Sequence, residues 1–559
     1  MSRVGSALDR IESALRRPAV AAALVLAVGI AVAEEARVRQ NRFPSSHEDF
    51  SHLLAADTFA RGRLANPPLE HGVHFESPLI LVRPHYVSAL PPAQGALLAL
   101  GQRLGDPLHG SALGLGLAGA AVTWMLAGWL PGLWPLFGGL VLALHPRLVG
   151  IWGTGYSSGL PALVGAALLL GSLPRLLGDR VRGGVALGVG AGLLALSQPF
   201  HGLVAALPAV GYLALGLRRR GPGRRLPARA LAAAASTLAA LVAFHAYYDW
   251  RTTGDPFTTP WALYRETYAP TPELLFLEER APALARPAFQ EALAGDASPN
   301  AQSFSRRRTW EGFWEGVAAK LGLSWSFFLL PAFSAVFLAL PFALREPGVR
   351  FALAAVAVYL LALPLDARDR ALHVATYLPA FGLLFTASAK RWTDLGLRRF
   401  PAGALAVMAL LLLGWYQQHV ATSEVIDERL LLDLESRGKI TRMLQRRADK
   451  GLVLVRTAGG QSGTAEWVYN EADLDLAPLL FARSISPEAD EELVLAHPER
   501  KVWLLNSSGR RLAVVAHPEA RYWRGEPRPE PLELSQEEEQ RLREEVEARL
   551  RARVPWLRF

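Results

Sequence analysis

Through the first 420 residues the chain carries apolar runs of roughly 15 to 25 residues, separated by short connectors rich in arginine. A helix needs about 20 apolar residues to cross ~30 Å of hydrocarbon. The runs show neither the strict alternation of a half-buried strand nor the single stripe of a soluble helix. In hydrocarbon the backbone must satisfy its own hydrogen bonds, which a helix does within one segment. Apolar segments are read at 18–34, 91–104, 110–129, 131–146, 150–172, 183–197, 199–217, 228–247, 321–343, 349–365, 371–389 and 400–418. Long polar stretches lie at 35–90, 248–320 and 419–559. The expectation is an α-helical polytopic membrane protein of about 11 to 13 helices with a small soluble α/β domain at its C-terminus.

The net charge is +9, and only 5 of the 59 basic residues are lysine. Arginines such as Arg218–Arg219–Arg220 and Arg224–Arg225 sit between apolar runs, which fits topology and anionic headgroups rather than nucleic acid. No cysteine occurs, so disulfides and thiolate metal sites are excluded. Loops retaining arginine and lysine face the cytoplasm. That puts 175–182, 218–229, 345–350, 390–399 and the N-terminus inside, and all three polar stretches outside. A membrane domain, 1–418, thus carries outer loops 35–90 and 248–320, and an extracytoplasmic domain spans 419–559. Ends on opposite sides require an odd number of crossings, whereas twelve segments are read. The discrepancy falls between 91 and 172, where 91–104 is short and 150–172 carries Gly153, Gly155 and Gly159. Arg16–Arg17, the apolar stretch 19–33 and Ala31–Val32–Ala33 fit a signal peptide or a retained anchor helix, with retention favoured.

Beyond 419 the pattern changes. Residues 423–449 read as a charged helix, 451–456, 501–505 and 511–515 as strands, 476–481 as helical, and 535–553 as an amphipathic helix.

In the first outer loop, Glu48 and Asp49 precede an amphipathic helix from about 49 to 61. Such a helix can lie in the interface and hold a carboxylate partly out of water, which raises its pKa and suits a general base. The same acids also suit a helix cap. His47 and His52 are five apart rather than four, so they do not form a zinc-binding helix face. Arg83 and His85 fit either a phosphate contact or interfacial anchoring. Arg306–Arg307–Arg308 fits a phosphate contact or a solvated patch, and Tyr264 and Arg265 are further candidates in the second outer loop.

These features resemble the GT-C membrane glycosyltransferases, in particular bacterial proteins related to protein O-mannosyltransferases and the lipid A aminoarabinose transferase. That group carries an Asp–Glu pair, an aromatic three residues beyond the Glu, a later glycine and a Pro–Pro entry to a helix. Here Glu48–Asp49 takes the pair in swapped order, His52 stands at the aromatic position, Gly62 at the glycine, and Glu76 and Pro91–Pro92 at the end of the loop. A widespread set of bacterial proteins of this class shares LLAADTFARGRLANPP, PPAQGALLALGQ, TGDPF and WVYNEADLD nearly end to end.

The resemblance implies inverting transfer from a polyprenyl-phosphate sugar to the hydroxyl of a glycolipid, glycan or protein, at the outer face of a bacterial plasma membrane. It implies a base at Asp49 or Glu48. Position favours Glu48 and loop reach favours Asp49; Asp49 is preferred, and both are kept. Substrate contacts would come from Arg83, His85, Glu76, His52, Tyr264, Arg265 and Arg308. A divalent metal on the acids is compatible but not required. Two competing readings are a lipid-linked sugar transporter, disfavoured by apolar segments nearly free of internal charge, and a non-catalytic envelope-assembly protein.

Overall fold

A computed structural model describes residues 2–40, 42–44, 46–219, 227–268, 272–278, 304–328, 334–367, 371–394, 437, 440–441, 444–446, 449–457, 467–508 and 511–516. The apolar segment 400–418, the helix expected at 423–449 (apart from a few residues near its end) and that at 535–553 lie outside the described residues.

The protein is a multi-pass helical membrane protein. Its helices are α1 (Ser2–Leu15), α2 (Pro18–Gln40), α3 (His47–Ala60), α4 (Pro92–Arg103), α5 (Pro107–Leu126), α6 (Trp134–Ala143), α7 (Leu160–Leu177), α8 (Val181–Ala195), α9 (Pro199–Arg218) and α10 (Ala228–Thr253). There follow α11 (Pro260–Tyr268), α12 (Trp310–Phe328), α13 (Pro347–Ala362) and α14 (Leu378–Asp394). Among the described residues, α2, α7, α9, α10 and Pro347–Leu365 are long and apolar enough to cross a membrane. The shorter α6 is prolonged by a π-helical turn, Leu148–Trp152. The core runs through α5, α7 and α13, with Leu115, Val122, Leu163, Leu170, Ala352 and Tyr359 buried together.

Glycine sets the spacing of these helices. A Cβ on Gly116 would lie 2.6 Å from the Leu26 carbonyl, and one on Gly184 would lie 2.0 Å from the Ala230 carbonyl. Small residues let backbones approach where lipid offers no hydrophobic drive between helices.

Two faces of the bundle can be traced through polar contacts. On one, Arg175 Nη2 donates to the Trp124 carbonyl at 2.7 Å, Asp179 Oδ1 accepts from the Ala230 amide at 3.2 Å, and Lys390 lies 3.5 Å from Glu346. This arginine-rich face gathers the connectors 175–182 and 345–350 with the end of α14. On the other, the C-terminal end of α2 meets the start of α5, with Arg37 2.9 Å from Asp106 and His109 2.6 Å from Glu34.

Helix α4 stays on this second face. Its first turn accepts the chain from α8, Ala93 N donating to Leu196 O at 3.1 Å. Its last turn reaches α3, Gln102 Nε2 donating to Asp57 Oδ1 at 3.0 Å and Arg103 Nη2 to Ala60 O at 3.2 Å. Segment 91–104 thus runs between the end of α8 and the end of α3 on this face. The twelve residues of α4 span only about 18 Å as a helix, well short of a bilayer core.

The C-terminal sheet has strand order β4-β3-β5-β6, from β3 (Gly451–Thr457), β4 (Leu479–Arg483), β5 (Lys501–Ser508) and β6 (Arg511–Ala516). Strand β3 runs parallel to β4 and β5, and β6 is antiparallel to β5. The stretch expected to be helical at 476–481 is instead a turn that runs into β4 at Leu479. A short apolar run buried throughout has no period to separate the two states. Helix α15 (Pro487–Ala496) follows β4. In the first loop, β1 (Ile80–Leu81) and β2 (Val87–Ser88) form a small hairpin. Leu54, Phe75, Ile80 and Tyr86 share one core with Leu452, Leu454, Leu480 and Leu504, so the first loop and the C-terminal sheet are packed as one body on the second face.

Candidate functional site

Helix α3 organises this face because each side of it meets a different partner. Ser46 begins it with a capping box: its Oγ accepts from the Asp49 amide at 3.2 Å, and the Asp49 carboxylate accepts from the Ser46 amide at 3.1 Å. The capping reading of the acid pair thus describes Asp49. Beside it lies Arg42, whose guanidinium is pushed down by burial and partly restored by Asp49.

Glu48 points elsewhere. Its Oε2 accepts from Ser157 Oγ at 3.1 Å, in the loop between the π-turn and α7. That loop is fixed on every side. Gln94 of α4 accepts from Ser158 Oγ at 2.7 Å and donates to Tyr156 O at 2.9 Å. Ser111 Oγ donates to Gly155 O at 2.7 Å, and Thr154 Oγ1 donates to Gln40 Oε1 at 2.9 Å. The Glu48 carboxylate therefore stands where α2, α3, α4, α5 and this loop converge.

One helical turn on, His52 shares the Glu48 side of α3. It is 8% exposed, and its Nδ1 has no hydrogen-bond partner among the described residues. Burial pushes its pKa down to about 4, with Glu48 opposing the shift. His52 is thus a neutral imidazole at physiological pH. Among the described residues no three His, Asp or Glu side chains converge as a metal site requires.

A second side of α3 carries the C-terminal unit. Phe50 stacks on Tyr469 at 4.3 Å, His47 Nδ1 lies 2.7 Å from the Tyr469 hydroxyl, and Arg437 lies over the Phe50 ring at 4.3 Å. Arg437 Nη2 donates to Tyr469 O at 2.9 Å, and burial pushes its pKa down to about 10. Asp57 Oδ2 accepts from the Ala472 amide at 2.8 Å. The WVYNEAD segment, 467–473, is therefore the belt that ties the sheet to the first loop. The third side meets the hairpin, Ser51 Oγ lying 2.7 Å from Ser88 Oγ.

The other sequence candidates gather away from this junction. Glu76 is buried and accepts from the Tyr268 hydroxyl at 3.3 Å. Tyr264 is buried in a cluster with Leu81, Val87 and Tyr268, and Arg265 is half-buried beside it on α11. His85 Nδ1 lies 3.2 Å from the Thr252 carbonyl at the end of α10, and Arg83 is exposed. Arg308 is exposed with its guanidinium 5.7 Å from the Phe304 ring, whereas its neighbour Arg307 is buried and donates to the Ala367 carbonyl. Ser157, Gln94, Arg42 and Arg437 were not singled out from the sequence. Each is an ordinary polar residue, distinguished only by what folds against it.

No family model and no curated protein sequence matches the chain. Three solved structures similar to it are of the oligosaccharyltransferase of Archaeoglobus fulgidus. A complex with Zn and sulfate is 14% identical with a TM-score of 0.38, covering 71% of this chain and 52% of that one. The apo form is 14% identical with a TM-score of 0.35, covering 72% and 55%. AglB with an inhibitory peptide and a dolichol-phosphate is 13% identical with a TM-score of 0.37, covering 87% and 69%. The chain spans about half the length of the first two. At these scores the overlap is partial, and the functional reading rests on the chain's own residues.

Proposed function

We propose that the protein is an inverting GT-C-like glycosyltransferase that moves a sugar from a polyprenyl-phosphate donor to an acceptor hydroxyl, with Glu48 as the general base. The reading rests on the arrangement of the acid pair: Asp49 is engaged in the cap, while Glu48 faces the junction of helices and loop beside neutral His52. Glu48 takes the proton of the acceptor hydroxyl as its oxygen attacks the anomeric carbon. The bond from that carbon to the phosphate oxygen breaks, and the phosphate leaves with the bonding pair. Developing charge on the phosphate is stabilised by cations already in place. Arg42 is the half-buried cation at this junction. The lipid tail stays among the apolar helices.

The arginine-rich connectors lie on the opposite face, which the positive-inside rule assigns to the cytoplasm. The site and the C-terminal unit are then extracytoplasmic, in a bacterial plasma membrane.

The test compares envelope glycolipids and glycoproteins by mass spectrometry in a deletion strain carrying wild type, Glu48→Gln or Asp49→Asn at equal protein level. Wild type restores one sugar modification. Glu48→Gln fails by at least about 100-fold, the scale of general-base catalysis. Asp49→Asn retains transfer, with stability lowered by about 0.3–1 kcal/mol as the first turn of α3 loses a negative charge. Full restoration by Glu48→Gln sinks the assignment of the base. A deletion with no change in any glycoconjugate sinks the transferase reading.

A further inference from the structure

We propose that α1 is an interfacial anchor that lies in the headgroup layer of the arginine-rich face and binds anionic phospholipid. In the sequence Val4, Leu8, Ile11 and Leu15 recur at the spacing of one helical side. Leu15 fixes how that side is turned, because it packs against the cluster of Ala21, Val25, Leu136 and Ala143 on α2 and α6. Ile11, one turn earlier, faces the same way but lies beyond the edge of the bundle and is 56% exposed. What adjoins the bundle there is the membrane, since α2 begins at Pro18 as a span of 23 residues. On α2, Val20 and Leu24 are each 40% exposed, continuing the apolar surface into the bilayer.

The polar residues of α1 define which lipid fits. Arg10 is exposed within α1, and Arg16 and Arg17 are exposed at the boundary between α1 and the span. Glu12 is paired with Arg16 at 2.6 Å and Asp9 adjoins Arg10, so among the described side chains of this stretch the exposed Arg10, Arg16 and Arg17 outnumber the acids, with Arg10 and Arg17 offered to headgroups in this proposal. An apolar stripe flanked by arginine is the pattern of a helix lying in the interface and drawn to negative lipid.

The absence of cysteine makes the test direct. Ile11→Cys and Glu12→Cys each carry one nitroxide or fluorescent label in the full chain, reconstituted in phosphatidylcholine vesicles with or without phosphatidylglycerol. With phosphatidylglycerol, the label at 11 is quenched by lipid-borne quenchers several-fold more than the label at 12, which meets aqueous quencher. Without it, the contrast shrinks. Replacing Arg10 and Arg17 together by Gln reduces the contrast and the phosphatidylglycerol that co-purifies with the protein, measured by mass spectrometry. Equal aqueous access at 11 and 12 in anionic vesicles overturns the proposal. So does a contrast, or a lipid yield, unchanged by the arginine substitutions. Protection of position 11 in cells but not in anionic vesicles would mean that a protein, rather than lipid, covers α1, and would overturn it too.

Discussion

Adjacent acids in one sequence motif take different tasks because a helix turns by about 100° per residue. Asp49 sits where it can return a bond to the Ser46 amide, and Glu48 one step away meets Ser157. The pair stood out in the sequence, but which acid returns to the cap and which meets Ser157 did not, because Ser157 is 109 residues distant. His52 illustrates the same limit: its side of the helix follows from spacing, its neutrality from burial. Its proton affinity makes a prediction. Unfolded, it titrates near its ordinary value of 6.5, and in the fold at about 4. Between these the unfolded chain binds a proton that the folded chain refuses. The contribution of His52 to stability is complete above pH 6.5 and declines as pH falls toward 4, by up to about 3 kcal/mol. Thermal unfolding in detergent across this range should show the decline, and His52→Phe should flatten it. An unchanged slope in that variant would show that other groups carry the acid sensitivity.

Helix α4 shows what an apolar run can and cannot disclose. Its composition matched the crossing segments, and only its length set it apart. A thiol at exposed Leu104 should react with an impermeant reagent from the same side as one at exposed Arg83. Labelling from opposite sides would make α4 a crossing helix after all. The glycines divide equally sharply. Gly184→Ala places a methyl 2.0 Å from the Ala230 carbonyl and must part α8 from α10, whereas Gly211 has nothing within 4 Å of an added Cβ. Gly184→Ala should lower thermal stability and folded yield, by about 1–3 kcal/mol as overpacking does. Gly211→Ala should be neutral or raise stability by up to about 1 kcal/mol, because alanine loses less backbone freedom in a helix. Equal effects at the two sites would mean that helix propensity, not spacing, decides.

Across the whole molecule, the first loop and the C-terminal sheet belong to one packed body although nearly 400 residues of chain separate them. Strands β3, β5 and β6 were legible as short apolar runs in a charged region, but their docking on α3 was not. Removing the ring of Tyr469 takes away the stack on Phe50, the partner of His47 and part of the bed of Arg437. Tyr469→Ala should cost about 3 kcal/mol or more, as loss of a buried aromatic does. Limited proteolysis should then cut loop 46–90 and the sheet together. Cleavage confined to the sheet would show that the loop is held by the bundle alone.

The sequence by itself determined that this chain enters a membrane many times, where its apolar runs lie and that short arginine-rich connectors separate several of them. Those properties depend on local composition, which any segment carries wherever it is placed. Tertiary structure alone decided which apolar run stays on one face, which acid meets the helix junction and which loop completes the C-terminal core. Each of these depends on a contact between residues far apart in sequence, and side-chain type does not record the partner that folding supplies.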